Sequence, residues 1–277
     1  MIYLILGIIF SYSMSMVMRS AAKYTVNPMA MYMSNYFVCI LFALFFTGKP
    51  DFTIEGMSVP FMYGAVSGAL YLVSLAAYDR SLKINGLGMS AVFNKLGIIF
   101  PALMAVAVFK EKTEAVQIAG FVLAVTAIVI MYCDKNSMQQ IGSRRMLVYL
   151  LFAAGICDSM ANIYTKTGIP ELKNYFLLFN FIFAFLFSTV SLFLRKKKFS
   201  ICDLGIGALI GIPNYLSSRC VLYALSEMSA VVVYPVYNVS VLFLLIVTGV
   251  LFFKETMTLK KGISLCMVCA ALVMLNI

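Results

Sequence analysis

Apolar and polar residues follow one another along this chain in long blocks rather than in short periods. Ten apolar segments, each about 17 to 24 residues long, are separated by short polar or charged stretches. Because a helix needs about 20 residues to cross the roughly 30 Å hydrocarbon core of a bilayer, each block has the length of a transmembrane helix. The pattern predicts an all-α membrane protein with spans at residues 2–20, 28–47, 58–80, 86–109, 115–132, 146–166, 174–194, 203–225, 229–252 and 259–276.

The second half of the chain repeats the first. The tripeptide Phe109-Lys110-Glu111 recurs 144 residues later as Phe253-Lys254-Glu255, and Asn94 recurs at the same offset as Asn238. Each half holds five predicted spans, and an odd number makes the second half insert upside down relative to the first. We therefore predict two inverted five-helix repeats, at residues 1–133 and 146–277, joined by a polar linker at 134–145.

Glycine pairs four residues apart also recur between the halves. Gly64 and Gly68 return as Gly207 and Gly211 with an offset of 143. Small residues at this spacing let two membrane helices approach closely. We interpret both pairs as packing faces rather than as functional residues.

The composition agrees with a membrane location. Hydrophobic residues make up 63% of the chain and charged residues 12%, against about half and a quarter in soluble domains. The chain enters an apolar stretch at Met1 without a charged leader, so the first span is expected to be retained. The localisation that we expect is the plasma membrane of a bacterium, with the lipid bilayer as a partner.

The formal charge of +10 would suggest nucleic acid as a partner in a soluble protein. Here it is explained by loops, because Lys and Arg are concentrated after the odd-numbered spans. The positive-inside rule then places those loops in the cytoplasm and both termini outside. No nucleic-acid partner is predicted.

The remaining composition narrows the chemistry. Histidine is absent, which removes histidine metal sites and proton relays, and seven cysteines lie mostly in apolar runs. An odd cysteine count argues against a disulfide framework. A phosphate-binding Gly-x-x-x-x-Gly-Lys-Ser/Thr motif does not occur, which argues against ATP-driven pumping by this chain alone. We therefore expect no cofactor, no metal and no enzymatic activity.

The segments that close the two halves, residues 94–131 and 234–275, resemble the EamA-type branch of the drug/metabolite transporter superfamily. That family pattern is a proline in the fourth span, an acidic residue just after it, and a glycine in the fifth span. Pro101, Glu111 and Gly120 follow the pattern in the first half, whereas the second half keeps Glu255 and Gly262 but has Pro235 earlier in the span.

The resemblance implies ten helices around a central cavity, lined mainly by the first, third and fourth helices of each half. It implies alternating access by rocking of the two halves, and fifth helices that pack at the interface of a homodimer. Members of this family carry amino acids, purines, cations, sugars or phosphorylated metabolites, often as exporters. The resemblance therefore implies transport without naming the substrate.

Three ionisable residues fall near the middle of predicted spans, namely Lys95, Asp158 and Arg219. Such residues are costly when they face lipid, so each one marks the interior of the bundle or a wet cavity. Asp158 and Asn162 are one turn apart and share a helix face. Asp158 either neutralises Lys95 or Arg219 as a packing pair, or it couples a proton or binds a cationic group of the substrate.

Further polar residues extend this candidate set. Asn214 and Tyr215 precede Arg219 on a broad polar face near Pro213, and Tyr234 lies one turn before Asn238. Asn94 and Asn238 either face the cavity or form a hydrogen bond between helices. The complete predicted substrate-binding set is Asn94, Lys95, Asp158, Asn162, Asn214, Tyr215, Arg219, Tyr234, Asn238 and Tyr71.

Two bases against one acid favour a substrate that carries a carboxylate or phosphate, which Arg219 can hold with two hydrogen bonds. The sequence therefore favours a secondary transporter, and in particular a proton-coupled exporter, of a small polar, zwitterionic or anionic metabolite such as an amino acid. Two alternatives stay open. One is an exporter of organic cations or drugs that uses Asp158 as its charge partner, and the other is a membrane scaffold that transports nothing.

Overall fold

The computed structural model describes residues 1–21, 24–132, 142–195, 198–253 and 259–275. Within those residues every regular element is a helix. The α-helices are α1 Ile2–Ala21, α2 Pro28–Thr47, α3 Ser58–Lys95, α4 Ile99–Ala107, α5 Ala115–Tyr132, α6 Arg144–Thr167, α7 Lys173–Arg195, α8 Ile201–Glu227, α9 Ala230–Phe253 and α10 Leu259–Leu275. Residues 134–141 of the predicted linker lie outside the described residues, and its last two residues, Arg144 and Arg145, belong to α6.

The chain is an all-α, multi-pass membrane protein. Among the described residues, six helices are long and apolar enough to cross a membrane, and three shorter apolar helices accompany them. The six are Ile2–Ala21, Pro28–Thr47, Ser58–Asn85, Arg144–Thr167, Pro170–Leu194 and Ala230–Leu251, and the shorter ones are Val92–Ala107, Ala115–Ile130 and Gly262–Leu275. Ten spans and an inverted repeat remain predictions.

Local signals fix the helix ends where the sequence predicted them. Helix α2 begins after Asn27, whose side-chain oxygen accepts a hydrogen bond from the Met29 N–H at 3.1 Å, and it has Pro28 in its first turn. It ends at Gly48, whose positive φ of 77° favours glycine. The bounds of α2 and of α5 coincide with the predicted spans 28–47 and 115–132.

The predicted break between the third and fourth spans, at residues 81–85, is absent. Helix α3 runs without interruption for 38 residues, because its polar residues find partners there. Lys83 pairs with Asp79 at 2.8 Å, and the buried Ser81 hydroxyl meets that of Ser90 at 2.8 Å. The buried Asn85 side chain accepts from the Ser143 N–H at 2.8 Å, which satisfies another polar group.

The interruption comes later, as a 3₁₀ turn at Leu96–Ile98 before α4. Pro101 supplies the physical reason. A proline ring lacks an N–H and clashes with the carbonyl four residues earlier, which here belongs to Gly97. The turn ends α3 at Lys95, one of the predicted site residues.

The chain divides into two compact units. The first unit contains Met1–Leu72 and Ile163–Ser226, and the second contains Val73–Asn162 and Glu227–Ile277. Each unit therefore combines helices from both halves of the sequence. We refer to them below as the first unit and the second unit.

Close helix contacts through glycine hold the first unit together. A Cβ atom added at Gly64 would lie 2.5 Å from the Phe179 Cβ of α7, and one added at Gly207 would lie 2.1 Å from the Met31 carbonyl oxygen of α2. Gly68 and Gly211 make equally tight approaches, to Phe183 Cβ at 2.5 Å and to the Asn35 carbonyl oxygen at 2.7 Å. The prediction that both glycine pairs are packing faces is confirmed.

The second unit has an aliphatic core. Side chains of α5, α9 and α10 meet there around Ile128, Val239, Ile246 and Val268, all buried. A Cβ at Gly120 would lie 2.9 Å from the Met274 Cβ of α10, so α5 and α10 also pack closely. This core supports α9, which carries two of the predicted site residues.

Candidate functional site

Lys95 and Asp158 form the charged part of a candidate site in the second unit. Lys95 is the last residue of α3, and Asp158 lies in the middle of α6. The segments that carry them pack together, since a Cβ atom added at Gly97 would lie 3.0 Å from the Gly155 backbone nitrogen. Both residues have exposed surface, and because a charged side chain is costly when it faces lipid, we interpret that surface as lining a recess.

Lys95 and Asp158 do not make the short contact that defines an ion pair, unlike Lys83 and Asp79, whose charged atoms lie 2.8 Å apart. The arrangement leaves each charged group with capacity to bind a further partner.

Tyr234 of α9 fixes the position of α6 beside this charged pair. Its buried hydroxyl donates a 2.6 Å hydrogen bond to the backbone carbonyl of Asp158. The Asn238 amide donates to the Tyr234 carbonyl at 3.0 Å, within the same helix. Tyr234 therefore positions the backbone at Asp158, whereas the hydrogen bond of Asn238 lies within its own helix rather than between helices.

Asn162 is the most unusual residue of this site. It lies one turn after Asp158 on α6, is 1% exposed, and neither its side-chain oxygen nor its nitrogen has a hydrogen-bond partner among the described residues. A buried polar group without a partner costs about 1–3 kcal/mol. The carbonyl oxygen and the NH₂ group of Asn162 are therefore left without a partner among the described residues, one helical turn from Asp158.

The first unit holds the other predicted residues. The Arg219 guanidinium lies 4.0 Å from the ring centroid of Phe46 and 5.2 Å from that of Tyr223. Phe46 is the second-last residue of α2. Arg219 therefore lies nearer the end of the helices than the mid-membrane depth that the sequence suggested.

Tyr215 and Asn214 have different surroundings on α8. Tyr215 is fully buried among the rings of Phe42, Phe46 and Phe181, at centroid distances of 6.2, 5.7 and 5.9 Å. Its hydroxyl has no hydrogen-bond partner among the described residues. The Asn214 amide donates to the Asn35 side-chain oxygen at 3.1 Å, which links α8 to α2.

Tyr71 packs edge-on against Tyr36 at 6.2 Å between ring centroids. Asn94 is half-buried on α3, directly before Lys95. The predicted set thus divides by unit. Asn94, Lys95, Asp158, Asn162, Tyr234 and Asn238 belong to the second unit, whereas Tyr71, Asn214, Tyr215 and Arg219 belong to the first.

Two residues of the first unit that the sequence did not single out, Lys173 and Tyr223, form a cation–π contact. The Lys173 ammonium lies 4.5 Å from the centroid of the Tyr223 ring, the same ring that Arg219 approaches. Lys173 stands at the start of α7 and Tyr223 near the end of α8, so only the packing of these helices reveals the pair. No spacing in the sequence signals it.

Glu111 has a role other than ending α4. Its carboxylate accepts hydrogen bonds from the Ser229 hydroxyl and, at 3.0 Å, from the Ala230 N–H at the start of α9. A carboxylate stabilises a helix N-terminus, where unpaired N–H groups carry partial positive charge. The repeated acid, Glu255, lies outside the described residues.

Comparisons with known proteins agree with this fold. No protein-family model matches the sequence. An uncharacterized protein of Haemophilus influenzae is 22% identical over 267 residues, which cover 91% of this chain and 89% of that protein. A protein of known crystal structure matches this chain with a TM-score of 0.74 at 12% sequence identity. The match covers 99% of this chain and 94% of the chain in that structure. The similarity extends over nearly the whole chain and establishes the fold alone.

Proposed function

We propose that this protein is a secondary transporter of the EamA-type drug/metabolite class that carries a small zwitterionic metabolite, such as an amino acid, by alternating access. One observation supports this proposal above the others. Lys95 and Asp158 are accessible charged residues on apolar helices, and the unpartnered Asn162 amide lies one turn from Asp158.

The charges of the second unit favour a zwitterion over a simple anion. The sequence combined Lys95, Asp158 and Arg219 into a net positive site, whereas the proposal uses only the two charges that belong to the second unit, Lys95 and Asp158. One ammonium and one carboxylate leave a formal charge of zero. An amino acid presents the complementary carboxylate and ammonium, and each forms charge-assisted hydrogen bonds with its partner.

Transport by purified protein tests the proposal. The full chain in proteoliposomes is assayed for counterflow of a mixture of radiolabelled amino acids, with Lys95→Gln, Asp158→Asn and the exposed control Lys112→Gln. Loss of one charge-assisted contact is worth about 1.5–3 kcal/mol, so both site variants should lose at least about tenfold in apparent affinity. Unchanged counterflow in both site variants, at normal protein levels, refutes the proposal.

Asn162→Leu separates a binding role from a structural one. Leucine removes the unpartnered polar atoms at similar volume, so the free energy of unfolding should stay equal or rise. Transport affinity should nevertheless fall. A variant that loses stability as well as transport would show that Asn162 has a structural hydrogen bond instead.

The same experiment addresses the organic-cation alternative. A cation exporter needs Asp158 as its charge partner and gains nothing from Lys95, since an ammonium repels a cationic substrate. Export of quaternary amines that requires Asp158 and improves in Lys95→Gln would favour that alternative. Proton coupling, outward direction and residence in a bacterial plasma membrane are further parts of the proposal, tested by pH-jump counterflow and by fractionation.

A further inference from the structure

One end of the first unit carries positive charge that the proposed transport site does not use. A cavity of about 180 Å³ lies there among the end of α6, the start of α7 and the end of α8. Lys166 and Lys173 line it together with Ser226, and its described lining contains no carboxylate. Glu171 and Glu227, the acidic neighbours in sequence, are exposed and are not among the lining residues.

Lys173 is held in a fixed position at this cavity. Its ammonium donates a 3.2 Å hydrogen bond to the Ser226 hydroxyl and lies 4.5 Å from the centroid of the Tyr223 ring. The Tyr223 hydroxyl in turn donates to the Asn174 side-chain oxygen at 3.2 Å. A lysine that is already ordered loses less conformational entropy when it binds a ligand.

Arg219 brings a second positive charge to the same ring. Its guanidinium lies 5.2 Å from the Tyr223 centroid, so the two cations are within about 10 Å of each other and repel. One turn away, the fully buried Tyr215 hydroxyl has no partner among the described residues. An anion bound at Lys173 would reduce the repulsion between the two cations.

We propose that this cavity binds a small oxyanion, a phosphate or carboxylate group, which Lys173 contacts while Ser226 and Tyr223 hold the lysine in place. A cavity of 180 Å³ is several times the roughly 30 Å³ that one water molecule occupies, which leaves room for such a group. A dissolved metabolite and a phospholipid headgroup present the same oxygen atoms. The site is separate from Lys95 and Asp158, and its existence does not depend on transport.

The first arm of the test uses inorganic phosphate. The full chain in neutral detergent is unfolded thermally over a phosphate titration at constant ionic strength, because a ligand of the native state raises the melting temperature. Wild type, Lys173→Arg and the exposed control Lys112→Gln should show the same saturable increase. Lys173→Gln should weaken binding at least about tenfold.

The second arm asks whether a lipid supplies the anion. The same variants are placed in vesicles of phosphatidylcholine with or without phosphatidylglycerol, and retained lipid is counted by native mass spectrometry. Phosphatidylglycerol retention that requires Lys173 supports the site and identifies a lipid headgroup as its source.

Binding of both anions that is equal in Lys173→Gln and Lys112→Gln overturns the proposal, as does the absence of saturable binding in wild type. If Lys173→Gln does not fold, Ser226→Ala replaces it. That variant removes the acceptor of the lysine and should also weaken binding. Transport is not a readout in either arm, so failure here is distinguishable from failure of the proposed function.

Discussion

Replacement of Gly207 by alanine should separate α8 from α2. The added Cβ would lie 2.1 Å from the Met31 carbonyl oxygen and 2.9 Å from the Ser34 Cβ. An ordinary contact starts near 3.4 Å, so the two helices must move apart by about 1 Å, an overpacking of the kind that costs about 1–3 kcal/mol. The same movement stretches the 2.7 Å hydrogen bond from the Ser34 hydroxyl to the Leu204 carbonyl.

Gly205 offers a matched control on the same helix. A Cβ there meets nothing within 4 Å, so Gly205→Ala gains only the helix preference of alanine, up to about 1 kcal/mol. Gly207→Ala has the same gain but loses the helix contact, and in membrane proteins a stretched interhelical hydrogen bond adds about 0.6 kcal/mol to that loss. The difference in the free energy of unfolding between the two variants should be about 2–4 kcal/mol.

Thermal unfolding of both variants in detergent measures this difference. At about 2–4 °C per kcal/mol for a chain of this size, Gly207→Ala should melt roughly 4–16 °C below Gly205→Ala. Equal melting temperatures would show that α2 and α8 do not approach at Gly207, and the packing of the first unit described above would then be wrong.

Three further predictions concern buried partners and solvent access. Asp203 is fully buried, and its carboxylate accepts hydrogen bonds from the Val26, Asn27 and Ser200 N–H groups at 2.8, 3.3 and 2.8 Å. Because Asp203→Ala leaves three donors without a charged acceptor, it should lower the free energy of unfolding, measured by chemical denaturation, by about 3–5 kcal/mol. Ser229 is the N-cap of α9 and also binds Glu111, so Ser229→Ala should lower the free energy of unfolding by about 1 kcal/mol. Asp158→Cys, in a background without other accessible cysteines, should react with a charged thiol reagent, because Asp158 is accessible whereas its neighbour Cys157 is buried.

Each of these three has its own control. Asp51→Ala removes an exposed carboxylate whose recorded partner is Thr53 alone, and it should change stability little. A Glu111→Gln and Ser229→Ala double-mutant cycle should show coupling, and additive effects would contradict the cap. The native Cys157 is the control for the thiol reagent. Equal labelling of Cys157 and of the cysteine introduced at position 158 would contradict the recess.

The sequence predicted the positions of most helices correctly, but it placed one helix boundary wrongly. Spans such as 28–47 and 115–132 were exact, because caps and turn residues near their ends act locally. The break at 81–85 was wrong because polar residues there are satisfied by partners such as Ser90 and Ser143. Those partners lie outside the polar stretch itself, so the stretch taken alone suggested a loop.

The sequence predicted which residues belong to the candidate site, but it did not predict which residues lie next to one another. Lys95, Asp158 and Asn162 stood out because a charge or amide inside an apolar helix needs an explanation. The sequence left open whether Asp158 pairs with Lys95 or with Arg219; the structure places Lys95 with Asp158 in the second unit and Arg219 in the first. Lys173 and Tyr223 were invisible, since neither is unusual in its own segment.

The sequence by itself determined that this is an all-α membrane protein, because lipid offers no partner to backbone N–H and C=O groups and each apolar block must therefore form a helix. Only the tertiary structure decided which charges share a neighbourhood. It places Lys95 and Asp158 in one compact unit and brings Lys173 of α7 to the Tyr223 ring of α8. Lys173 and Tyr223 meet through helix packing, and that packing depends on side-chain shape along the whole length of the helices rather than on any local pattern.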